Sequence, residues 1–219
     1  MKKRGFLLAA CTVGVMLSGC GSRETAFSPS ESCVYVAKDG ALSSALVEQT
    51  GGISVDENEL KQYLETAVIH FNEEKGAGAL AQNQKNAERL PAALKSVKAG
   101  KDTVTAIFDY ASFEDLKAFG ETNDNEDTSN SLTALEAKPL SEAIADGWFS
   151  EGELVKADGS EAGTDTVQNE KSGMAVRSEG GATLMLGGKV LYRSSNTELK
   201  DDSTVSLPET GTAYVIFKR

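Results

Sequence analysis

The sequence predicts an α+β fold, with an N-terminal β-hairpin, one amphipathic helix on an antiparallel sheet, short helices and a β-rich C-terminal segment. Two β-prone runs, 33–37 and 41–47, flank Asp39-Gly40, which is a hairpin signal. Apolar residues recur at helical spacing across 56–75. From Met174 onward, runs rich in β-branched and aromatic residues alternate with glycine-containing turns.

The helix over 56–75 is the clearest single element. Its apolar side chains are expected to share one face: Leu60, Tyr63, Leu64, Ala67, Val68 and Phe71. Ser54 and Glu57 fit a capping box at its start, and Gly76 ends it. Ile69 lies near the middle of the polar side, so we expect it to be exposed or to touch another part of the protein.

Shorter elements are predicted in the middle of the chain. Strands are expected over 92–97 and 103–110, where Val, Ile and Phe recur. A helix over 112–119 would begin with Ser112 as its N-cap and stop at Gly120.

A further short helix is predicted over 140–147. Trp148 and Phe149 follow it and are expected to pack on the body of the protein. Residues 156–173 are rich in Gly, Asp, Ser and Glu, a composition typical of a linker or a long loop.

The C-terminal segment is predicted to be β-structure. The runs 182–186 and 189–193 flank Gly187-Gly188, which predicts a tight hairpin with a primed turn. Strands are also expected over 204–207 and 212–218. Because the last strand ends almost at the C-terminus, we expect it to pair centrally rather than fray.

The first twenty residues have the pattern of an export signal. Three basic residues at 2–4 precede an apolar run over 5–17. That run has thirteen residues. A helix that spans a bilayer needs about 20, so a cleaved signal peptide is favoured. The run closes on Leu17-Ser18-Gly19-Cys20.

This ending resembles the lipobox of bacterial lipoproteins. The resemblance implies that the Cys20 thiol receives a diacylglyceryl group and that a dedicated peptidase cuts between Gly19 and Cys20. Two acyl chains give a stable anchor, whereas one chain binds a membrane weakly and reversibly. The alternative is a plain secretory signal with an incidental cysteine. Cys11 lies in the apolar run and would be discarded with it.

With that processing, the chain divides into five parts: signal peptide 1–19, lipidated tether 20–32, α+β domain 33–155, linker or long loop 156–173, and β-rich segment 174–219. Removing the signal leaves 200 residues with 19 basic and 33 acidic side chains, a net charge of −14. Nucleic-acid binding needs clustered Lys and Arg, and anionic lipid attracts basic segments. The acidic balance argues against both and favours simple solubility.

Two single residues deserve a chemical interpretation. Cys33 is the one thiol left besides Cys20, so an internal disulfide is not expected in the mature chain. It lies in an apolar run and is predicted to be a small buried hydrophobic side chain rather than a reactive thiol. His70, the single histidine, falls at the edge of the apolar helix face, where a structural role is favoured over a catalytic or metal-binding one.

The polar and acidic stretch 121–131 suggests calcium. An EF-hand loop requires glycine at its sixth position and glutamate at its twelfth. A loop starting at Asn123 would have Thr128 and Ala134 at these two positions, and one starting at Asp124 would have Ser129 and Leu135, so neither fits. A solvated loop is therefore expected, with an irregular calcium site as the alternative.

The order of elements can be followed through short motifs: Glu59-Leu60, Asp109-Tyr110, the run 113–119, Ser141-Glu142-Ala143 with Gly147, the run 189–192 and the run 214–218. Together with the lipobox, they resemble uncharacterised surface lipoproteins of clostridia and their relatives over most of 20–219. The resemblance implies one functional residue, Cys20, and no catalytic motif.

The sequence thus predicts a lipid-anchored protein on the extracytoplasmic face of the cell membrane. We expect a non-catalytic binding or interaction module, without metal or cofactor, whose partner is an envelope protein or ligand. Serine-hydrolase, zinc-protease, redox-dithiol and phosphate-loop motifs are absent from the sequence. The alternatives are a small envelope hydrolase using carboxylates or His70, and a ligand-binding component of a transport system.

Overall fold

In a computed structural model, the described residues are 27–85, 87–122, 131–149, 153–170 and 172–219. These ranges contain twelve strands and four helices. They confirm the α+β class, and the strands form a seven-stranded sheet and a five-stranded sheet, here called the first and the second sheet.

The helices are α1 (Glu57–Glu74), α2 (Phe113–Thr122), α3 (Leu140–Ala145) and α4 (Thr164–Gln168). The strands are β1 (Cys33–Val36), β2 (Leu42–Gln49), β3 (Ala92–Ala99), β4 (Thr103–Tyr110), β5 (Ala134–Pro139), β6 (Leu154–Lys156), β7 (Gly173–Glu179), β8 (Thr183–Leu186), β9 (Val190–Ser194), β10 (Glu198–Asp201), β11 (Thr204–Ser206) and β12 (Thr212–Lys218).

The first sheet has the strand order β10-β11-β8-β1-β2-β4-β3. Strands β1 and β2 form the predicted N-terminal hairpin, with Cys33 opposite Ala45 and Val36 opposite Leu42. Its turn contains Gly40, whose φ of 85° suits glycine. Strands β1 and β8 pair in parallel, so the first sheet is mixed rather than purely antiparallel.

The second sheet has the order β5-β7-β12-β9-β6. The last strand, β12, lies at its centre and pairs antiparallel with β7 on one side and β9 on the other. The prediction of a central C-terminal strand is confirmed. Central pairing satisfies backbone groups on both sides of β12, which prevents fraying at the chain end.

The predicted hairpin across Gly187-Gly188 is wrong. Strand β8 belongs to the first sheet and β9 to the second, and the glycines carry the chain from one to the other. Neither glycine has a positive φ. A Cβ on Gly187 would lie 2.8 Å from the Lys38 nitrogen, and one on Gly188 would collide with the Lys218 carbonyl oxygen. The glycines are needed for close backbone approach, not for a primed turn.

The main core lies between the sheets. Val34 and Val36 of β1 share one cluster with Val215 and Phe217 of β12. Helices α1 and α2 complete the same cluster through Val68, Phe71, Phe113, Leu116 and Phe119. Because side chains alternate along a strand, each sheet has an inner face in this core and an outer face that points away from it.

Helix α1 departs from its prediction at two residues. Its N-cap is Asp56 rather than Ser54, because the Asp56 Oδ1 accepts from the Asn58 and Glu59 nitrogens at 2.8 and 3.1 Å. Tyr63 was expected on the buried face but is 69% exposed. Ile69 is half-buried.

The buried face of α1 also contains a polar residue that the apolar pattern did not predict. Asn72 is fully buried. Its carboxamide donates to the carbonyls of Leu80 and Ala92 and accepts from the Ala92 nitrogen. It therefore fixes α1 against the edge strand β3.

The start of α2 agrees with its prediction, and its end does not. The Ser112 hydroxyl accepts from the Asp115 nitrogen at 3.1 Å, which confirms the N-cap. The helix passes through Gly120 and ends at Thr122. Glycine ends a helix when it adopts a positive φ, and Gly120 is not among the glycines that do so.

The stretch 156–173 contains its own packed structure. Helix α4 lies within it, and Val167 is 5% exposed. The segments before and after it share both sheets, because β1 pairs with β8 and β5 pairs with β7. This stretch therefore joins parts of the same two sheets.

Candidate functional site

Two of the positions considered from sequence lie outside the described residues. Cys20 falls within 1–26, and 123–130 make up most of the acidic loop. Lipidation of Cys20 and calcium binding by that loop therefore stay predictions. Within the part of the chain that the structure describes, no group of three or more His, Cys, Asp and Glu side chains is placed to hold a metal ion.

His70 lies on the solvent side of α1. Its Nδ1 is 3.5 Å from the Glu74 Oε1 one turn later, and the two side chains are 68% and 56% exposed. A histidine that activates a serine or cysteine nucleophile lies within hydrogen-bond reach of it. None of the hydrogen bonds found for the described residues joins His70 to such a group.

Cys33 is buried, as predicted, at 8% exposure. Burial raises the pKa of its thiol to about 12, the nearby Glu31 carboxylate adds to this, and Lys200 opposes it. The thiolate is the reactive form of cysteine. Cys33 therefore stays protonated near neutral pH and suits packing rather than nucleophilic chemistry.

The outer face of the first sheet carries a polar cluster across β2, β4 and β3. The Ser43 hydroxyl donates to the Asp109 Oδ1 at 2.6 Å, and the same oxygen is 3.3 Å from the Lys95 Nζ. Ser43 is buried at 4% exposure. One carboxylate oxygen of Asp109 on β4 thus contacts side chains from β2 and β3, so the cluster joins three strands.

An aromatic group lies on the outer face of the second sheet, here called the aromatic corner: Trp148, Phe149 and Tyr214. The Phe149 and Tyr214 ring centroids are 5.5 Å apart, and each lies 6.4 Å from that of Trp148. Trp148 is buried, whereas the other two rings are half-buried. The corner therefore presents two partly accessible rings on a fixed base.

Charged side chains surround this corner. The Lys138 Nζ lies 4.4 Å from the Trp148 ring centroid, a cation–π contact. It also binds Glu136 at 2.7 Å and Asp146 at 2.8 Å. Hydrogen bonds to Asp146 and then Glu136 raise the pKa of Lys138. Rings beside fixed charges suit contact with a ligand that has both apolar and polar surface.

The sequence predicted packing of Trp148 and Phe149 but missed Tyr214 as their neighbour. Alternation along β12 was the available signal, because Val215 and Phe217 belong to the core and Tyr214 must face the other way. That Trp148 and Phe149, which follow α3, would meet this face of β12 depends on the strand order, which a single sequence does not reveal.

Comparison with known proteins gives no relative. No family model matches the chain, no curated protein matches it, and no solved structure matches it. None of the helices in the described ranges is long and apolar enough to cross a membrane.

Proposed function

We propose that this protein is a bacterial lipoprotein, held by a diacylglyceryl group on Cys20 at the extracytoplasmic face of the cell membrane. It works there as a non-catalytic binding or interaction module. The observation that carries the proposal is the sequence Leu17-Ser18-Gly19-Cys20 directly after a basic start and a short apolar run.

The anchor is tested by expressing the full chain with Cys20→Ala in a lipoprotein-processing bacterium. Wild-type protein should carry acyl mass and enter the detergent phase, whereas the variant should carry none and stay aqueous. Cys11→Ala is the matched control, because this cysteine lies in the apolar run and its loss should leave lipidation unchanged. Identical behaviour of wild type and Cys20→Ala would refute the anchor.

The binding role rests on the aromatic corner. Tyr214 contributes a half-buried ring to this corner. Tyr63 is an exposed tyrosine on α1, which packs against β3 of the first sheet. We expect unlipidated protein to sediment with insoluble envelope material from the producing bacterium. Tyr214→Ala should reduce this binding and Tyr63→Ala should not. Equal loss with both substitutions would place the contact elsewhere.

A further inference from the structure

The chain enters the folded body across the outer face of the first sheet. Phe27, the first described residue, stacks on Tyr35 with ring centroids 4.5 Å apart. Val34 and Val36 point into the core, so Tyr35 points outward. Phe27 also packs against the outer-face cluster of Cys33, Ala45 and Ile107.

That cluster lies near the middle of the face. Register places Cys33 opposite Ala45, and Ala45 opposite Ile107, across β1, β2 and β4. These three strands lie side by side within the seven-stranded order, with further strands on both sides. Phe27 therefore lies over the central part of this face.

Polar contacts hold the entering segment in place. Both carboxylate oxygens of Glu31 accept from the Lys200 Nζ, at 2.9 and 2.8 Å. Lys200 also donates to the Thr183 hydroxyl at 3.0 Å. The Ser32 hydroxyl accepts from the Val47 nitrogen at 3.0 Å. Residues 27–32, predicted to be part of a tether, are thus bound to the sheet.

The position of Phe27 limits where the lipid can be. Seven residue steps separate Cys20 from Phe27, which span at most about 25 Å. A compact chain of this length has a radius of gyration of about 16 Å and is roughly 40 Å across. A chain of that reach, starting near the middle of one face, does not extend around the edge to the opposite face.

The charge of this face fits a position beside lipid headgroups. Its basic and acidic side chains nearly balance: Lys95, Lys98 and Lys200 against Glu31, Asp109, Glu198 and Asp201. The mature chain as a whole carries −14. Anionic headgroups repel acidic surface. Most of the excess negative charge of the mature chain lies outside this face.

We propose that the outer face of the first sheet is the surface that lies against the lipid bilayer. The aromatic corner, on the outer face of the other sheet, then points away from the membrane and toward the medium. This orientation rests on the proposed lipidation of Cys20. It assigns a lipid surface, rather than a protein, to the side of the molecule that Phe27 occupies.

Single-cysteine labelling of the lipidated protein tests the orientation. In a Cys33→Ala background, Thr105→Cys places a fluorophore on the outer face of β4, and Ser141→Cys places one on α3 beside the second sheet. The vesicles contain phosphatidylcholine, phosphatidylglycerol and a headgroup-nitroxide lipid. Given the short reach, quenching at Thr105→Cys should exceed that at Ser141→Cys about threefold.

The outcomes separate the orientation from the anchor. Equal or reversed quenching in protein that floats with the vesicles overturns the orientation and leaves the anchor intact. Protein that does not float overturns both. Inserting twelve Gly and Ser residues after Ser22 lengthens the reach to about 65 Å, so the quenching difference should fall toward zero. A difference that survives the insertion overturns the role assigned to the short tether.

Discussion

The outer faces of the two sheets are covered in different ways. On the second sheet, Leu140 and Ala143 of α3, Val167 of α4 and Trp148 pack with Ile216 in one apolar cluster. On the first sheet, the apolar cluster is small and made of Cys33, Ala45 and Ile107, with Phe27 and Met185 against it. One cover is a second core built from helices, and the other is a single entering segment.

The cover of the second sheet therefore mainly stabilises the fold, whereas the cover of the first sheet mainly positions the N-terminal segment. Large side chains buried under helices contribute apolar area to folding, at about 25 cal/mol per Å². A segment held by one ring, one ion pair and the Ser32 hydroxyl contributes less to folding and mainly fixes Phe27 over the middle of the sheet. Substitutions on the two faces should therefore differ in size and in the property that they change.

The largest effect is expected for Trp148→Ala on the second sheet. Trp148 is 8% exposed and packs with α3, so its removal opens a cavity that neighbouring groups do not fill. Unfolding in urea, followed by circular dichroism, should show a loss of about 3–5 kcal/mol. A loss below about 1 kcal/mol would show that this outer cluster is not a second core.

A smaller effect is expected for Phe27→Ala, the matched aromatic truncation on the first sheet. Phe27 is half-buried and touches one ring and a small cluster. We expect a loss of about 1–2 kcal/mol in the same urea experiment, because only part of the ring is removed from water. A loss equal to that of Trp148→Ala would remove the distinction between the two faces.

Sequence was sufficient where the signal was local. The β1–β2 hairpin followed from Asp39-Gly40 between two β-prone runs, and the cap of α2 followed from Ser112. Gly187-Gly188 gave the same local hairpin signal, yet its neighbouring strands belong to different sheets. The parallel β1–β8 pair decides that outcome, and it joins residues about 150 positions apart, which local patterns do not reach.

The candidate site depended on the same long-range pairing. Trp148 and Phe149 were predicted to pack, but Tyr214 became their neighbour through the central position of β12. Similarly, Ser32 and Glu31 were assigned to a tether because their composition is typical of one. Their partners, Val47 and Lys200, lie on strands whose positions a single sequence does not give.

A third expected effect concerns Cys33, beneath Phe27 on the first sheet. The unfolded thiol loses its proton above about pH 9, whereas the folded one keeps it until about pH 12. The unfolded state then binds fewer protons, so stability falls as pH rises through this window. Compared with Cys33→Ala, wild type should lose about 1 kcal/mol between pH 7 and pH 10. Parallel pH profiles of the two proteins would contradict this burial effect.

The smallest effect is expected for Lys200→Ala, which removes the ion pair that holds the entering segment. The Lys200 and Glu31 side chains are 34% and 51% exposed, so the pair should contribute about 0.5 kcal/mol at low salt. Most of that should disappear near 1 M salt, where the screening length is about 3 Å. Lys189→Ala is the matched control, since its partner Asp202 lies on an exposed turn away from residues 27–32.

Both lysine variants should remain folded, so the deciding measurement is local. Hydrogen exchange of the Val47 amide, which donates to the Ser32 hydroxyl of the bound segment, should become faster in Lys200→Ala at low salt and stay unchanged in Lys189→Ala. A loosened segment opens more often, and exchange follows the population of the open form. Equal exchange in both variants would mean that Phe27 and Ser32 fix the segment without the ion pair, and the cover of the first sheet would then depend mainly on the packing of Phe27, as that of the second depends on apolar packing.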